Sequence, residues 1–585
     1  MVPVLKKFIL ILNKQQKVRI VVIAIMMVIG ALLETIGVGL ILPLVSVITD
    51  TDFIETNKYV RRICDYLGIY TAKTFVLFMI IALILIYIFK SIYLFLEYYV
   101  QWRFICNNRL GTQKKLMQQY LSRPYEFFLN AESGEIVRII NDDVSRTFYL
   151  LGIVLAFWTE AVISVALVLT IVLTDPFMAV LIAVVLGGVL LMVNHILKPI
   201  LKNAGIRYQN SVAKSNKWMM QSIAGIKEVK VSRSEKYFLE QFSLYGKKAV
   251  DAEKINNVLN NVPRLSIEAF GVISMLTVIA ILLCVGREID AMLPQLTAFA
   301  MAAVRLLPSV NRMSTAVNSI SYYEPSLDKV IENLQELNIQ KNKQVKLLFS
   351  QEKNSQSLES SMGKMELYNI TYCYPNSKQP VLEHANMEIE AGQSIGIVGA
   401  SGSGKTTAID ILLGLLQPQS GCVKVDGHDI RENYDGWLKQ LSYIPQTIFM
   451  LDDTIRANVA FGILPEDIDD DQVWKALEEA QLKDFVESLP EKLDTSIGER
   501  GVRLSGGQRQ RIGIARALYS DPQLLIFDEA TSALDNETEA AIMESINALH
   551  GKKTMVIIAH RLTTIEECDV VYRVEGKQIC KEGVH

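Results

Sequence analysis

Residues 399–406 read GASGSGKT, a match to G-x-x-x-x-G-K-[ST]. Chemistry explains that spacing: Gly399, Gly402 and Gly404 let the backbone curl until its N–H groups face phosphate oxygens. Lys405 then reaches the β- and γ-phosphates, Thr406 offers a hydroxyl to Mg²⁺, and Ser401 and Thr407 complete the nucleotide-facing set. Further along, LLIFDE sets Asp528 and Glu529 at the end of an apolar run. Asp528 is expected to hold Mg²⁺ and Glu529 to polarise an attacking water, because phosphoryl transfer needs positioning and charge neutralisation more than covalent chemistry. Between the two strings, LSGGQ (Leu504 to Gln508) opens a helical RQRIGIARALY, a helix N-terminus suited to an anion. Such residues are expected to bind a nucleoside triphosphate with Mg²⁺.

The elements that must position these groups are legible around them. SIGIVG before the loop suits a buried strand, and AIDILLGLL after it suits a helix; that strand–loop–helix context is what the motif requires. Half of the 585 residues are hydrophobic, and they crowd into the first 320 positions. Residues 21–48, 75–100, 148–173, 176–197, 265–286 and 292–318 are each apolar and long enough to cross a bilayer, which takes ~20 residues. Runs such as FVLFMIIALILIYIF have no polar face, unlike the helices of a soluble core. Six spans are the natural count. The first is too long for a cleavable signal peptide and leads into Glu34 and Pro43.

Orientation follows from Lys and Arg. Lys6, Lys7, Lys14, Lys17 and Arg19 precede the first span; Arg103, Arg109, Lys114, Lys115, Arg123, Arg138 and Arg146 lie between the second and third. Lys198, Lys202, Lys214, Lys227 and Lys230 lie between the fourth and fifth, whereas the loops at Thr174–Asp175 and Arg287–Asp290 are tiny. Positive-inside bias puts both termini, the two long loops and the nucleotide site in the cytoplasm. With 59 basic against 62 acidic residues, nothing favours a nucleic-acid partner. Seven scattered cysteines show no C-x-x-C pair or metal spacing.

The expected fold is therefore an α-helical polytopic membrane domain, residues 1–337, fused to an α/β P-loop NTPase domain, residues 364–585. Residues 338–363, rich in Lys, Gln, Ser and Asn, read as a linker. Both long loops, 101–147 and 198–262, are mostly helical in pattern. Each has an irregular break, near Pro124 to Glu135 and around Gly225, which suits a short crosswise helix able to dock on a cytoplasmic domain.

Together these strings resemble the ATP-binding cassette family, specifically exporter-type half-transporters with six helices fused to one cassette. The resemblance covers nearly the whole chain, and it implies further roles. Tyr374, just before Pro375, would stack on adenine. Gln446 in SYIPQT matches the loop that senses the γ-phosphate and joins the Mg²⁺ ligands; Ser505, Gly506, Gly507 and Gln508 match the signature that binds the opposite subunit's ATP. Asp535 in SALD, His560 in IIAHRLT and Glu499 in GERG match the inter-subunit loop, the switch histidine and the coupling residue. Glu529 and His560 are the expected catalytic pair. One chain supplies half of each ATP site, so a homodimer is implied.

The cargo has to be read from the membrane half. Lys90 lies ~22 Å inward from the outer end of span two, and Arg305 ~20 Å inward on span six, at 1.5 Å per residue. Arg264 sits at the cytoplasmic end of span five. A cavity lined by these three cations would suit a phosphate or pyrophosphate headgroup. The competing reading pairs Arg264 with Glu268 and lets Lys90 snorkel toward lipid phosphates. Residues 53–67 read as an amphipathic helix at the outer interface, with Tyr59, Val60 and Ile63 on the apolar face. This half resembles the bacterial lipid-linked oligosaccharide flippases of protein N-glycosylation, notably in ETIGVGLILPLVSVITD and VRLLPSVNRM, although Lys90 stands where that family carries an Arg. The resemblance implies a polyprenyl-pyrophosphate glycan turned from inner to outer leaflet of a bacterial cytoplasmic membrane. An exporter of drugs, lipids or peptides is the alternative, and an ATP-gated channel the alternative of another class.

Overall fold

The computed structural model describes residues 2–39, 72–174, 188, 193–284, 308–335, 363–375, 377, 379–528, 544, 546–558 and 567–582. The chain divides into two compact units, Met1–Arg123 with Ala131–Lys343, and Pro124–Asn130 with Gln344–His585. The expected outer helix at 53–67 and all of the expected linker except Gly363 lie outside the described residues.

The first unit is helical. Helices run over Val2–Ile11, Lys14–Gly39, Ala72–Leu121, Val144–Thr174, Lys198–Ala224, Glu235–Leu259 and Val262–Cys284, and residues 308–335 form another. Ala72–Leu121 has 50 residues, so at 1.5 Å each it is ~75 Å long, more than twice a ~30 Å hydrocarbon core. This apolar span thus continues into the long loop after it as one helix. Three described segments, Lys14–Leu33, Lys73–Leu121 and Ser133–Val165, are long and apolar enough to cross a membrane. Leu85, Ile88, Phe89, Ile92 and Phe95 point outward from the second, a surface that lipid satisfies and water does not. A second apolar layer, including Phe8, Met27, Leu116, Phe148, Leu151 and Leu327, joins the N-terminal helix to four later ones.

One carboxylate buried in this unit, that of Asp143, is paired from several sides. A π-helical turn, Ile139–Asp143, interrupts the path into Val144–Thr174, and Arg138 at its start donates to Asp143 at its end. Gln209 Nε2 donates to Asp143 Oδ1 at 3.0 Å and to Ser326 Oγ at 3.1 Å, so three chain segments share one buried carboxylate. Leaving such a carboxylate unpaired would cost several kcal/mol, on the order of 3–5.

The second unit holds two sheets. Strands β1 (Met365–Tyr372), β2 (Leu382–Ile389), β4 (Ser420–Val425) and β5 (His428–Asp429) form an antiparallel sheet in the order β2-β1-β4-β5. Strands β3 (Ser394–Val398), β6 (Leu441–Ile444), β7 (Leu524–Asp528), β8 (Thr554–Ile558), β9 (Val570–Glu575) and β10 (Gln578–Glu582) form the other, in the order β10-β9-β3-β8-β7-β6. Its strands from β9 to β6 pair in parallel. Parallel strands are covered on both faces, which is why β7 (LLIFD) and β8 (TMVII) are continuous apolar runs buried at every position.

Candidate functional site

The register of the parallel sheet gathers the expected groups at one edge. Ile397 of β3 and Asp528 of β7 both align with Ile558 at the end of β8, and Ile444 at the end of β6 aligns with Phe527. The phosphate loop leaves β3, Gln446 follows β6, and Asp528 ends β7, so all emerge beyond the carboxyl ends of neighbouring strands, where open α/β sheets bind ligands. Glu529, Asp535 and His560 lie outside the described residues, as does Arg305.

Two glycines of the loop are required by close approach. Gly399 has φ +153°, and a Cβ there would meet Val574 O at 2.5 Å. Gly404 has φ +107°, with Val381 3.0 Å from the position of a Cβ. Helix Lys405–Leu412 starts immediately afterwards and directs its N-terminus at the loop. Lys405 is 5% exposed; its Nζ donates to the carbonyls of Gly399 and Ala400 at 2.9 and 3.0 Å, so the cation is held folded over the loop. The hydroxyl oxygen of Ser403 is buried there without a hydrogen-bond partner among the described residues. A buried cation and an orphaned hydroxyl around a glycine cradle fit a polyphosphate. Thr406 is exposed on the same turn, and Asp528 offers a carboxylate that is 6% exposed, a donor set that fits Mg²⁺.

Sequence reasoning missed the surroundings of Asp528. Tyr443 Oη donates to Asp528 Oδ2 at 3.0 Å; burial and the Asp528 charge both push that phenol upward, so it stays a donor. Asp410 shares the neighbourhood, and burial, then Asp528, push its carboxyl up to about 6. Tyr125, on the short helix Tyr125–Asn130, faces Asp410 and Tyr374, with its own phenol raised chiefly by burial. Next to it, Glu126 Oε1 accepts from Tyr372 Oη and from the backbone N–H of Gln417, each at 3.3 Å. The break expected near Pro124 is thus a helix docked in this unit by a carboxylate. A weak signal was available: two acids and two tyrosines beside known motifs, with no spacing rule to connect them.

Tyr374 packs edge-on against Tyr372 at 5.2 Å, and its hydroxyl lies 3.0 Å from that of Thr407. At the signature, Ser505 caps helix Gly506–Leu518: its Oγ accepts from Gln508 N–H at 3.2 Å, and Gln508 Oε1 accepts from Ser505 N–H at 2.8 Å. That capping box holds the exposed helix start rigid. Arg509 donates to the carbonyls of Gly501 and Leu504, tying the turn that carries Glu499 to the signature. Arg516 donates to Phe449 O at 2.8 Å and Asn458 O at 2.8 Å, fastening the segment after Gln446 to the same helix; burial lowers it to about 10.

In the membrane unit, Arg264 pairs with Glu268 at 3.6 Å, the competing reading of that residue. Lys90 Nζ stands 5.2 Å from the centre of the Tyr87 ring. Arg312 forms a two-pronged ion pair with Glu160, the acid in the apolar run 148–173, with Nη2 to Oε2 at 3.0 Å. The sequence reading passed over that pair because its members are 152 residues apart.

Known proteins match along most of this length. The ABC transporter family model matches residues 382–532, and the ABC transporter transmembrane region model matches residues 19–304. The chain is 30% identical over 498 residues to the ATP-dependent lipid A-core flippase of Saccharophagus degradans, covering 81% of this chain and 78% of that one. The flippase of the same description from Methylococcus capsulatus is 29% identical over 497 residues, 82% of this chain and 79% of its own. A multidrug resistance protein of Leptosphaeria maculans is 41% identical over 230 residues, which is 39% of this chain and 18% of that protein. Among solved structures, a bacterial Atm1-family ABC exporter with ATP bound superposes with a TM-score of 0.73 at 20% identity, over 98% of this chain and 96% of that one.

Proposed function

The chain belongs to the ABC transporter family, and from that premise we propose that two copies of it form a flippase for a phosphate-bearing glycolipid. It is a membrane-embedded, exporter-type ATPase that binds ATP and couples its hydrolysis to transport. The finer reading is a lipid-linked oligosaccharide, a polyprenyl-pyrophosphate glycan, moved from the inner to the outer leaflet of a bacterial cytoplasmic membrane with the cassette cytoplasmic. The observation that carries the lipid reading is the identity to lipid A-core flippases, which extends through the membrane half as well as the cassette. Lipid A-core and a polyprenyl-pyrophosphate glycan share a phosphorylated sugar headgroup on a long apolar anchor.

Within each cassette the residues divide the work. Loop N–H groups, Lys405 and Ser403 bind the phosphates, and Tyr374 stacks on adenine. Thr406, Gln446 and Asp528 would hold Mg²⁺, which supplies charge neutralisation at the transferring phosphoryl group. Glu529 takes a proton from the attacking water, and His560 steadies the γ-phosphate. The capped N-terminus at Ser505 to Gln508 serves the ATP of the other copy, closing two sites at once. Hydrolysis reopens them, and the short helix anchored by Glu126 passes that movement to the membrane helices.

Lys90 and Arg305 are the headgroup candidates, with Arg264 needing its Glu268 partner removed together with it. The test is ATPase stimulation in lipid nanodiscs by a polyprenyl-pyrophosphate oligosaccharide, lipid A-core and phosphatidylglycerol. The lipid-linked glycan is expected to stimulate most. Arg305→Ala is expected to lose that stimulation while keeping basal hydrolysis, and Arg305→Lys to regain part of it, because an ammonium cannot fork onto two oxygens. Stimulation by lipid A-core alone would retain the flippase and replace its cargo. Indifference to all three lipids would overturn the reading.

A further inference from the structure

β6 and β7 are neighbouring parallel strands, with Tyr443 aligned to Ile526. β7 ends in Asp528, and three residues after Tyr443 the chain reaches Gln446. Two of the expected Mg²⁺ ligands therefore leave adjacent strands, and one side chain joins those strands at their ends. That side chain is Tyr443, whose ring packs on the core beneath the phosphate loop and whose hydroxyl donates to Asp528 Oδ2 at 3.0 Å.

We propose that Tyr443 is a positioning residue for Mg²⁺: its hydroxyl fixes the carboxylate plane of Asp528, so that the other oxygen is presented to the ion held with the nucleotide. The inference rests on the Mg²⁺-ATP reading given above and adds a residue to it. Three features of the site give the bond its weight. Asp528 is almost fully buried, so a free rotation of its carboxylate would strand an oxygen away from solvent. The hydrogen bond runs to an ionised acceptor, the stronger kind. Asp410, on the helix that starts with Lys405, brings a second carboxyl whose charge and that of Asp528 oppose each other, so the orientation of the Asp528 carboxylate matters.

A positioning role and a merely electrostatic one differ in sign. A hydrogen bond donated to a carboxylate withdraws charge from it, so if orientation did not matter, deleting the hydroxyl would tighten Mg²⁺ binding. If orientation decides, deleting it weakens Mg²⁺ binding, by about tenfold for one charge-assisted bond. A structural role would instead lower nucleotide affinity and thermal stability together, whatever the Mg²⁺ concentration.

The experiment uses the full-length protein in nanodiscs, with Tyr443→Phe, which keeps the ring. Binding of a fluorescent ATP analogue is measured in excess chelator and across a Mg²⁺ titration, with ATPase activity alongside. Expected are unchanged binding in chelator, a Mg²⁺ half-saturation raised about tenfold, and turnover recovered to within about twofold at saturating Mg²⁺. Asp528→Asn serves as the reference and is expected to raise the Mg²⁺ requirement further. An unchanged or lower Mg²⁺ requirement in Tyr443→Phe, with Asp528→Asn impaired, overturns the role of Tyr443 and leaves the metal site standing. A normal Mg²⁺ requirement in both variants overturns the Mg²⁺ assignment of Asp528 itself. Equal loss of binding with and without Mg²⁺ makes Tyr443 a packing residue and overturns the inference.

Discussion

The hydroxyls of Tyr374 and Thr407 lie 3.0 Å apart, which ties the aromatic residue expected at adenine to the helix that begins with Lys405. The hydrogen bond and the stacking face are separable by mutation. Tyr374→Ala is expected to raise KM for ATP by about two- to twelvefold, from a stacking contribution of roughly 0.5–1.5 kcal/mol, with kcat little changed. Tyr374→Phe keeps the ring and stays within about twofold of wild type. If Phe behaves like Ala in an ATPase titration, the bond to Thr407 and not the ring carries the effect.

Glu529 directly follows Asp528, which closes β7. Glu529→Gln is expected to bind ATP normally and to lose turnover by 10²- to 10⁴-fold, the usual range for a missing general base. Single-turnover hydrolysis checks this. Activity within about threefold of wild type would remove Glu529 from the catalytic role.

The signature helix Gly506–Leu518 packs into a helical core that includes Ile455, Val473 and Leu477, whereas the phosphate-loop helix packs into a separate one with Ile395, Ile409 and Ile526. If the two motifs complete each other only between copies, Lys405→Ala and Ser505→Arg chains, each inactive alone, regain part of wild-type ATPase when mixed, through one intact composite site. A mixture no more active than its components, at matched dimer content, argues that each chain works alone or that both sites must be intact. A disulfide between cysteines placed at Ser401 of one copy and Ser505 of the other separates those outcomes.

Glu126 accepts from Tyr372 and Gln417 at 3.3 Å each. Both bonds are long, so their loss is expected to leave folding and basal ATPase within about twofold of wild type. Glu126→Ala is instead expected to at least halve cargo-stimulated ATPase, because the helix Tyr125–Asn130 loses its carboxylate anchor. Glu126→Gln, which keeps an acceptor, is expected to lie between. Equal loss of basal and stimulated activity would make the contact a folding element.

Asp410 has its carboxyl raised from the ordinary 3.8 to about 6, by burial first and the Asp528 charge second. The folded state therefore holds this proton more tightly than the unfolded chain. Its stabilising effect is full below the ordinary carboxylate pKa and is lost as pH rises toward about 6. Asn mimics the neutral acid at every pH. In chelator and without nucleotide, Asp410→Asn is expected to melt above wild type at pH 7.5, with the gap shrinking steadily toward pH 5. A gap independent of pH would show that ionisation of Asp410 is not its source.

Local chemistry was sufficient wherever function depends on consecutive residues. The glycine spacing of 399–404, the apolar run before Asp528 and the capping pattern at Ser505 all dictate backbone geometry within one or two turns, and the structure realises each as a strand, loop or helix start. The apolar runs likewise announced membrane helices, because hydrocarbon demands internal backbone pairing over ~20 residues. Long-range pairing was illegible for the opposite reason. Tyr443 meets Asp528 across 85 positions, Gln209 meets Asp143 across 66, and Arg312 meets Glu160 across 152. A tyrosine or a lone acid has no periodicity to betray its partner; only strand register and helix packing bring the two within hydrogen-bonding reach, and burial then makes the contact obligatory. The competing readings of Arg264 were both open in the sequence, since an i,i+4 acid and a headgroup demand the same cation. The local helix alone brings Arg264 to 3.6 Å from Glu268, one turn away, and its part in headgroup binding is left to the Glu268 double variant.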